Sequence, residues 1–438
     1  MFRGDFLLEK INGIVWGNWL LILMLSCGIY LTFKIGFIQF NLKGIFKGTI
    51  LSKGSNKSGD NTISPFQTMT TSLSATMGTG NIVGVASAII IGGAGAIFWL
   101  WISAILGMAL IYVENYLGIK YRTTLKDGST VGGACAYLEY GLKCKPLAVI
   151  FAFLCIVASF GIGNMTQSNA IAVSLKSTWN IPCIVTGLIT AILIALVIMG
   201  GVKRIGSITQ FFIPILSLLY ILGALIVILS NFQDLPKVFK DIFQQAFGFS
   251  SVTGGITGSL IITSLNVGLR RGVFSNEAGL GSSSILHSSS ECDNPHIMGL
   301  WGMFEVFIDT IICCTLTALA ILVVDVDFSS LDSSTLVIKS FESGLGNFSG
   351  FFITVAISLF AFATLIGWSV CGETCSKYLF GSSGGFIYKI FFVISIILGA
   401  ILNGSSVWIV SDIFNGLMAI PNLIGIIVLS KRLDLKIK

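Results

Sequence analysis

Two stretches of the chain, TSLSATMGTGNIVG (71–84) and NVGLRRGVFSNEAGLGSSS (266–284), decide the fold. Each interrupts an apolar run with Gly, Ser, Asn and Thr, which are poor components of a membrane helix. A break within a bilayer frees backbone N–H and C=O groups that lipid cannot satisfy, and each such group costs several kcal/mol. The two breaks are therefore tolerable only where a substrate, an ion or water replaces the missing helical partners.

The surrounding composition is that of an integral membrane protein. Of 438 residues, 54% are hydrophobic and only 11% are charged, whereas soluble domains carry about 25% charged residues. This excludes a soluble enzyme, a disordered chain and, despite the net charge of +6, a nucleic-acid binder. Apolar stretches of about 20 residues without strand-type alternation predict helices that cross the lipid bilayer. We place eleven spans at 14–35, 66–92, 98–118, 146–170, 181–200, 207–230, 253–286, 298–324, 347–376, 388–404 and 407–430.

The two breaks are related by a single shift along the sequence. A shift of 195 residues places Asn81 on Asn276 and Gly84 on Gly279, and it also aligns the Gly-Met pairs at 107–108 and 302–303. This predicts two five-span units of opposite orientation, and paired Gly-interrupted spans in such units indicate the central site of a secondary transporter. The alternative is that these glycines serve only close helix packing.

The distribution of Lys and Arg predicts the orientation. With the N-terminus outside and the C-terminus in the cytoplasm, 17 basic residues face inward and six face outward. The predicted organisation is an N-terminal helix with a basic cytoplasmic segment (1–65), a first repeat (66–230), an outer connecting loop (231–252), a second repeat (253–430) and a cytoplasmic tail (431–438). The ten cysteines are scattered through apolar runs, so we interpret them as packing residues.

Several motifs resemble a known family. GTGNIVGVASAIIIGGAGAIFWLWISAILGM (78–108), GIGNMTQSNAIA (161–172), GLRRGVFSNEAGLGS (268–282) and FAFATLIGWSVCGE (360–373) look like signature stretches of the alanine or glycine:cation symporters, also called sodium:alanine symporters. The resemblance implies an all-α membrane protein of about 11 transmembrane helices, with one peripheral helix before a 5+5 inverted-repeat core of the leucine-transporter type. It also implies sodium-coupled uptake of a small neutral amino acid, chiefly alanine or glycine.

The breaks and nearby polar residues form the predicted amino-acid site. Open backbone N–H groups of the first break suit a carboxylate, while carbonyls of the second break and the amide of Gln167 suit an ammonium group. Trp368 and Phe274 would form the walls, although aromatic rings and a buried amide could equally serve helix packing. The predicted substrate-binding residues are Gly78, Thr79, Gly80, Asn81, Gln167, Phe274, Ser275, Asn276 and Trp368.

The predicted sodium site lies beside the first break. Sodium is a hard cation that prefers oxygen ligands, and Thr364 carries the only hydroxyl of the run FAFATLIGW. In the resembled fold a sodium site joins the first break to this helix, which implies Thr76, Gly80 and Thr364 as ligands. Sodium is expected as the co-transported ion, and no covalently bound cofactor is expected.

Charged residues within the spans are expected to have a counter-charge or a functional role, because an isolated charge in lipid is energetically unfavourable. Arg270 and Arg271 are the expected counter-charges of Glu277, and the i, i+4 pair Glu305 and Asp309 is repulsive unless a cation or proton intervenes. We interpret these five residues as gating or coupling groups, with static helix pairing as the alternative.

Other function classes remain less favoured. Proton-coupled symport or exchange on the same fold is the main alternative, through a titrating carboxylate such as Glu277. A histidine relay is excluded, because His287 and His296 are the only two histidines and both fall in a predicted inner loop. The predicted spans contain no HExxH, no GxSxG and no Cys/His pair, and the chain lacks a phosphate-cradling GxxxxGK[ST], so neither an enzyme nor an ATP-driven pump is expected. The sequence is compatible with a monomer.

Overall fold

The computed structural model describes residues 3–50, 62–124, 130–248, 256–324, 326, 331–402 and 404–433. Residues 51–61 of the predicted basic segment, the start of the predicted second repeat and the tail from 434 lie outside this set. The helices are α1 Arg3–Val15, α2 Asn18–Lys34, α3 Leu42–Gly48, α4 Pro65–Thr76, α5 Val85–Gly92, α6 Gly95–Lys120, α7 Gly133–Ala136, α8 Lys145–Phe160, α9 Thr166–Trp179, α10 Cys183–Ile198, α11 Gly201–Ser230, α12 Leu235–Phe247, α13 Ile256–Asn276, α14 Ser282–His287, α15 Pro295–Val306, α16 Thr315–Leu322, α17 Ser333–Leu345, α18 Ser349–Ile401 and α19 Gly404–Leu429.

Short elements complete the described chain. Strand β1 (Thr123–Thr124) pairs antiparallel with β2 (Thr130–Val131). Single turns of 3₁₀-helix occur at Ile38–Phe40, Phe232–Asp234, Gly346–Phe348 and Ser430–Arg432. The π-helical segments, which use i→i+5 hydrogen bonds, are Gly80–Gly84, Tyr137–Gly141, Gly161–Met165 and Phe307–Cys314.

The chain is a multi-pass helical membrane protein. Seven helical stretches of the described residues are long and apolar enough to cross a bilayer, and the bent pair Pro65–Thr76 and Gly80–Gly92 makes an eighth if it counts as one span. One of the seven, Lys145–Trp179, is continuous over 35 residues. The 53-residue α18 contains a non-helical residue, Gly381 (φ 70°), so it consists of two helices that meet at a kink.

Two regions predicted as loops contain helices. The predicted outer connecting loop 231–252 includes α12, which buries Val238, Ile242 and Ala246 at a helical spacing of four and ends at a left-handed Gly248. Between the predicted spans 298–324 and 347–376 lies α17, whose first turn is capped by the Asp332 carboxylate. These amphipathic helices are shorter and more polar than membrane spans, so the apolar pattern of the sequence does not predict them.

The broken helices lie at the centre of the packing. α18 packs against α8, α9 and α10 and also against α4, while α13 lies along α6. Gly367 allows the backbone of α18 to approach α4, because a Cβ at this position would lie only 2.6 Å from the Ala75 nitrogen. The resulting proximity brings the middle of α18 beside the first break.

Candidate functional site

The first break occupies residues 77–79. The Gly78 N–H donates to the Thr76 carbonyl (2.9 Å) and to Asn81 Oδ1 (3.1 Å), instead of continuing the helical ladder. The π-helical segment Gly80–Gly84 follows, and the half-helices on the two sides meet at 52°. The break therefore falls inside the first Gly-rich stretch, where the sequence predicts it.

Polar groups from three helices meet at Gly78. An ideal Cβ on this glycine would lie 2.5 Å from Thr364 Oγ1 and 3.5 Å from Gln167 Oε1. The Thr79 hydroxyl is 3.3 Å from Gln167 Oε1, and Gln167 Nε2 donates to the Ile162 carbonyl (3.0 Å). The structure thus brings together Gly78, Thr79, Gln167 and Thr364, which the sequence assigns to substrate or sodium.

The second break occupies residues 277–281. α13 ends at Asn276, Glu277 takes a left-handed conformation (φ 54°), and Gly279 and Gly281 have φ of 91° and 87° before α14 begins at Ser282. A left-handed glutamate is a strained backbone position of the kind that clusters at functional sites. The loss of helix falls inside the second Gly-rich stretch, again as predicted.

Glu277 holds the indole of Trp368. Its Oε1 accepts a hydrogen bond from Trp368 Nε1 (2.8 Å), and its Oε2 accepts one from Ser282 Oγ (2.6 Å). The indole also packs against Gly163 so closely that a Cβ there would overlap it. Trp368 is therefore fixed between the second break and the π-helical turn that precedes Gln167.

One carboxylate joins the two breaks. Asp309 Oδ1 accepts from Asn81 Nδ2 of the first broken helix (2.7 Å), and Asp309 Oδ2 accepts from Ser275 Oγ beside the second break (2.8 Å). Thr310 Oγ1 donates to the same Oδ2 (2.7 Å), and Asp309 is fully buried. The Asn81 amide nitrogen and the Ser275 hydroxyl thus both donate to Asp309, while Asn81 Oδ1 accepts from the Gly78 N–H.

Aromatic rings cover the contact between the breaks. A Cβ on Gly80 would lie 3.3 Å from Phe274 Cδ1, so this glycine packs directly on the ring. Phe274 in turn stacks on Trp408 at a centroid distance of 6.1 Å, and the Arg271 guanidinium lies 5.8 Å from the Phe274 centroid. The predicted wall residue Phe274 therefore closes one side of the first break.

Comparison with known proteins identifies this arrangement. The model of the sodium:alanine symporter family matches residues 3–437. The chain belongs to the sodium:alanine symporter family. It is therefore a sodium-coupled amino-acid transporter and not an enzyme, as predicted.

Related proteins align with nearly the whole chain of this symporter. The sodium/alanine symporter AgcS of Methanococcus maripaludis is 40% identical over 432 residues, which cover 97% of this chain and 94% of AgcS. The probable sodium/glutamine symporter GlnT of Bacillus subtilis is 39% identical over 424 residues, which cover 96% of this chain and 87% of GlnT.

Solved transporters share the fold at low identity. A Na⁺-coupled sialic acid symporter in a substrate-bound outward-open state has a TM-score of 0.60 at 14% identity, and the match covers 95% of this chain and 87% of that one. MhsT in complex with L-phenylalanine has a TM-score of 0.55 at 14% identity, over 83% of this chain and 89% of that one. The all-helical fold of the leucine-transporter type is confirmed, whereas the count of about 11 spans and the 5+5 repeat stay predictions.

The arginines of the symporter have partners other than the expected one. Arg270 forms an ion pair with Asp412 of α19 (2.7 Å) and lies 5.4 Å from the Trp16 ring centroid. Arg271 donates to Ser87 Oγ (3.1 Å). The expected pairing of both arginines with Glu277 is wrong, because Glu277 turns at the end of α13 toward Trp368.

Glu305 and His287 form a buried pair. Their facing atoms, Oε2 and Nε2, are 3.1 Å apart, and both side chains have 0% exposure. Glu305 Oε1 also accepts from Ser72 Oγ of α4 (2.7 Å). The placement of His287 in a loop is wrong, since it lies on α14 in the core, so its position gives no ground for excluding a histidine relay.

Asn276 points away from the first break. Its Oδ1 accepts from the Ala278 N–H (3.1 Å), and the residue lines a cavity of about 20 Å³ with Met24, Ser103 and Gly107. Its Nδ2 is buried with no hydrogen-bond partner among the described residues. The structure therefore separates the Asn276 side chain from Gln167 and Gly78, with which the sequence grouped it.

Two of the predicted sodium ligands flank Gly78 in the sequence, and the third faces it from α18. Thr76 and Gly80 lie two residues before and after it, and the Thr364 hydroxyl faces it while donating to the Phe360 carbonyl (3.1 Å). Thr76 Oγ1 is turned back to the Leu73 carbonyl of its own helix (3.4 Å). Backbone carbonyls and the Thr364 hydroxyl are thus the oxygens available beside the break.

Three polar residues that hold the breaks in place were not predicted as site residues from the sequence, namely Ser72, His287 and Asn422. Asn422 Nδ2 donates to Glu114 Oε1 (2.6 Å) and to the Gly279 carbonyl (2.9 Å), so it ties the second break to α6 and α19. No spacing rule could find these residues, because each bonds a partner on another helix. Their signal is only that they are polar residues inside apolar or Gly-rich stretches.

Proposed function

We propose that this symporter takes up a small neutral amino acid, chiefly alanine or glycine, together with sodium, by alternating access around the two breaks. The observation that carries the proposal is the meeting of Gly78, Thr79, Gln167 and Thr364 at the first break. Open backbone donors, an amide and a hydroxyl are the groups that bind a zwitterion and a small hard cation. The names of AgcS and GlnT, with alanine and glutamine, support a small neutral substrate.

The substrate site in this proposal extends from the first break to the second. Backbone N–H groups between Gly78 and Asn81 bind the carboxylate, for which the Gly78 N–H must leave the Thr76 carbonyl and Asn81 Oδ1. Gln167 with carbonyls around Phe274 to Asn276 binds the ammonium group. Ser275 and Asn276 contribute through their backbone, since their side chains bond elsewhere. Phe274 and Trp368 limit the space for the substrate side chain, and Trp368 is held for this by Glu277.

Sodium binds beside the substrate in this proposal. Thr364 Oγ1 and the carbonyls of Thr76 and Gly80 are the ligands, which ties α18 to the broken α4 when the ion is present. A ligand that binds one conformation better than another shifts the population toward it. Sodium would therefore stabilise the state that is ready for substrate.

Gating in this proposal uses the charged residues around the breaks. The pair of Arg270 with Asp412 and the ring pair of Arg271 with Phe274 close one side, and Glu305 with Ser72 and His287 closes the other. The inferred architecture is about 11 transmembrane helices, with a 5+5 inverted repeat in 66–230 and 253–430. The inferred protein is a monomer in the cell membrane, with its N-terminus outside and its C-terminus in the cytoplasm.

Proton-coupled symport or exchange on the same fold is the second candidate. The buried pair of His287 and Glu305 favours it, because an imidazole and a carboxylate in contact can hold a proton between them. A relative from Bacillus subtilis, 33% identical, is described as a putative sodium/proton-dependent alanine carrier.

Uptake into proteoliposomes separates the two candidates. Labelled alanine and glycine are offered under an inward sodium gradient or an equal potassium gradient, at the same pH on both sides. Accumulation with sodium alone is the expected result. Accumulation that ignores sodium and follows an imposed pH gradient would contradict sodium coupling and favour the second candidate.

A pair of variants on α9 tests the substrate site. Gln167→Ala removes a polar group from the first break, and we expect the half-saturating alanine concentration to rise about tenfold, as for loss of one to two hydrogen bonds. Asn169→Ala is the matched control, because Asn169 bonds the Gly399 and Leu402 carbonyls and only holds helices together. Equal half-saturation in both variants would contradict the assignment of Gln167.

A further inference from the structure

We propose that the segment 33–50, which includes the end of α2 and all of α3, binds anionic phospholipid headgroups and connects them to the gate at Glu305. We call its exposed lysines and phenylalanines the interfacial surface, namely Lys34, Lys43, Lys47, Phe33, Phe37 and Phe40. The partner is the lipid leaflet that surrounds the segment, which is the inner leaflet in the proposed orientation. The connection to the gate rests on the proposed function, whereas headgroup binding does not.

The first observation is that the positive charge of the interfacial surface is not compensated by the protein. The sequence contains no Asp or Glu from residue 11 to residue 59. Lys34, Lys43 and Lys47 are all exposed, and no carboxylate of the described residues lies within ion-pair distance of any of them. Lysines beside the end of a membrane helix attract anionic headgroups, and each lysine strengthens binding to an anionic lipid surface about fivefold.

The second observation is that exposed aromatic rings accompany the lysines. Phe33 and Phe40 have 68% and 62% of their surface exposed, and Phe37 lies exposed between them in the sequence. The rings of Phe33 and Phe37 meet edge to face with their centroids 5.1 Å apart, so they form one apolar patch. Such rings can enter the acyl-chain boundary of a bilayer while the ammonium groups stay at the headgroups. The interfacial surface therefore fits a phospholipid better than a small anion in solution.

The third observation is that α3 is packed on α15 by the residues between its lysines. Ile45 is buried, and the Phe46 ring meets the Phe304 ring of α15 at a centroid distance of 5.2 Å. Gly48 lies so close to Leu300 of α15 that a Cβ on this glycine would overlap the leucine side chain. One side of α3 therefore contacts the transporter core, while its lysines remain available to lipid.

The functional consequence is a connection from lipid to the gate. Phe304, which α3 contacts, directly precedes Glu305, and Glu305 accepts from Ser72 of α4 (2.7 Å) and faces His287 of α14 (3.1 Å). α4 leads into the first break and α14 follows the second. Headgroups that hold α3 against α15 therefore favour the arrangement in which Glu305 keeps both partners, which is the closed state of this side.

Hydrogen exchange in nanodiscs tests headgroup binding without requiring transport. The discs contain phosphatidylcholine alone or an equal mixture of phosphatidylcholine and phosphatidylglycerol. We expect the backbone amides of α3 to exchange at least about fivefold more slowly in the anionic discs, because bound headgroups oppose local opening of the helix. Equal exchange in the two kinds of disc would overturn the proposal. Slowing by inorganic phosphate in phosphatidylcholine discs would overturn the lipid as the partner.

Two double variants with the same loss of charge locate the effect. Lys43→Gln with Lys47→Gln changes only exposed side chains of the interfacial surface, and we expect this variant to lose most of the difference between the discs. Lys203→Gln with Arg204→Gln is the matched control, because it removes two exposed basic residues at the start of α11, on the same side in the proposed orientation. The control should keep the wild-type difference. Equal loss in both double variants would overturn the assignment to this surface.

Alanine uptake tests the connection to the gate. External alanine binds the state in which the inner side is closed, so phosphatidylglycerol should lower the half-saturating alanine concentration several-fold in the wild type and in the control. It should have little effect on Lys43→Gln with Lys47→Gln. A half-saturating concentration that ignores the lipid, beside exchange that depends on it, would overturn the connection to Glu305. Uptake without sodium would instead contradict the proposed symport, and the exchange experiment would still test headgroup binding.

Discussion

Alanine at position 78 is the sharpest steric probe of the first break. Gly78 does not have a positive φ, so the backbone itself accepts alanine. The obstacle is the Thr364 hydroxyl, which would lie 2.5 Å from the new Cβ, whereas ordinary contact begins at 3.4 Å. The hydroxyl would have to move by about 0.9 Å, which would disturb its hydrogen bond to the Phe360 carbonyl.

The expected cost of Gly78→Ala follows from these contacts. Overpacking of this kind costs about 1–3 kcal/mol, and loss of the Thr364 hydrogen bond adds about 1 kcal/mol. Thr364→Ala removes the obstructing oxygen, after which the nearest remaining neighbours are the Gln167 Oε1 and the residue 364 Cβ, both at 3.5 Å. The double variant should therefore be about 2 kcal/mol more stable than the two single changes predict together.

Thermal unfolding in detergent measures this cost. Eight cysteines are buried in the structure, so a thiol-reactive fluorophore reports their exposure as the protein unfolds. Gly78→Ala should lower the unfolding temperature, and adding Thr364→Ala should restore it to that of Thr364→Ala alone. Gly84→Ala is the control, because a Cβ there would have no neighbour within 4 Å. A Gly78→Ala protein that unfolds with the wild type would refute the predicted contact.

Three further changes have defined outcomes. Glu277→Ala removes the acceptor of the Trp368 indole and should raise the half-saturating alanine concentration about tenfold, since hydrogen bonds to charged groups contribute about 1.5–3 kcal/mol. Glu277→Gln retains an acceptor and is the control. An equal rise in both variants would contradict the role of Glu277 in holding Trp368. His287→Ala removes the imidazole from Glu305 Oε2 but leaves Ser72 Oγ on Oε1, and should cost about 1.5–3 kcal/mol, measured as loss of folded protein, while His287→Gln should recover part of it. Asp332→Ala removes a helix cap and should cost about 1 kcal/mol. Although burial acts to raise the pKa of Asp332, hydrogen bonds from Thr335 and Ser334 lower it below its usual value, so this contribution is present at neutral pH and is lost in acid as the carboxylate protonates. Unfolding of Asp332→Asn compared across pH checks that sign, since its cap cannot titrate.

The positions of both breaks could be predicted from the sequence because they depend on local composition. Gly, Ser and Asn within an apolar run weaken the helix wherever the chain folds, and the structure loses its helix at 77–79 and 277–281. Gly78 and Gln167 could be selected as polar or Gly interruptions of apolar runs, whereas Thr364 was joined to the first break only through the resembled fold.

The partners of the charged residues could not be predicted in the same way. Arg270 bonds Asp412, which is 142 positions away, and a periodic pattern carries no information on that distance. Asn276 turns away from the first break because α13 ends at this residue and the left-handed Glu277 redirects the chain. The direction of a side chain at a broken helix end depends on tertiary packing, which cannot be inferred from the pattern of a single sequence.

The 35-residue helix Lys145–Trp179 also determines the depth of the site. Exposed Lys145 and Lys176 are separated along it by about 46 Å at 1.5 Å per residue, close to the full bilayer thickness of about 40–45 Å including both headgroup layers. The midpoint falls at the π-helical turn beginning at Gly161, a few residues before Gln167. An ion bound there has crossed roughly half of the membrane's electric field, so sodium affinity should change by about 1.2 kcal/mol, or about sevenfold, per 100 mV.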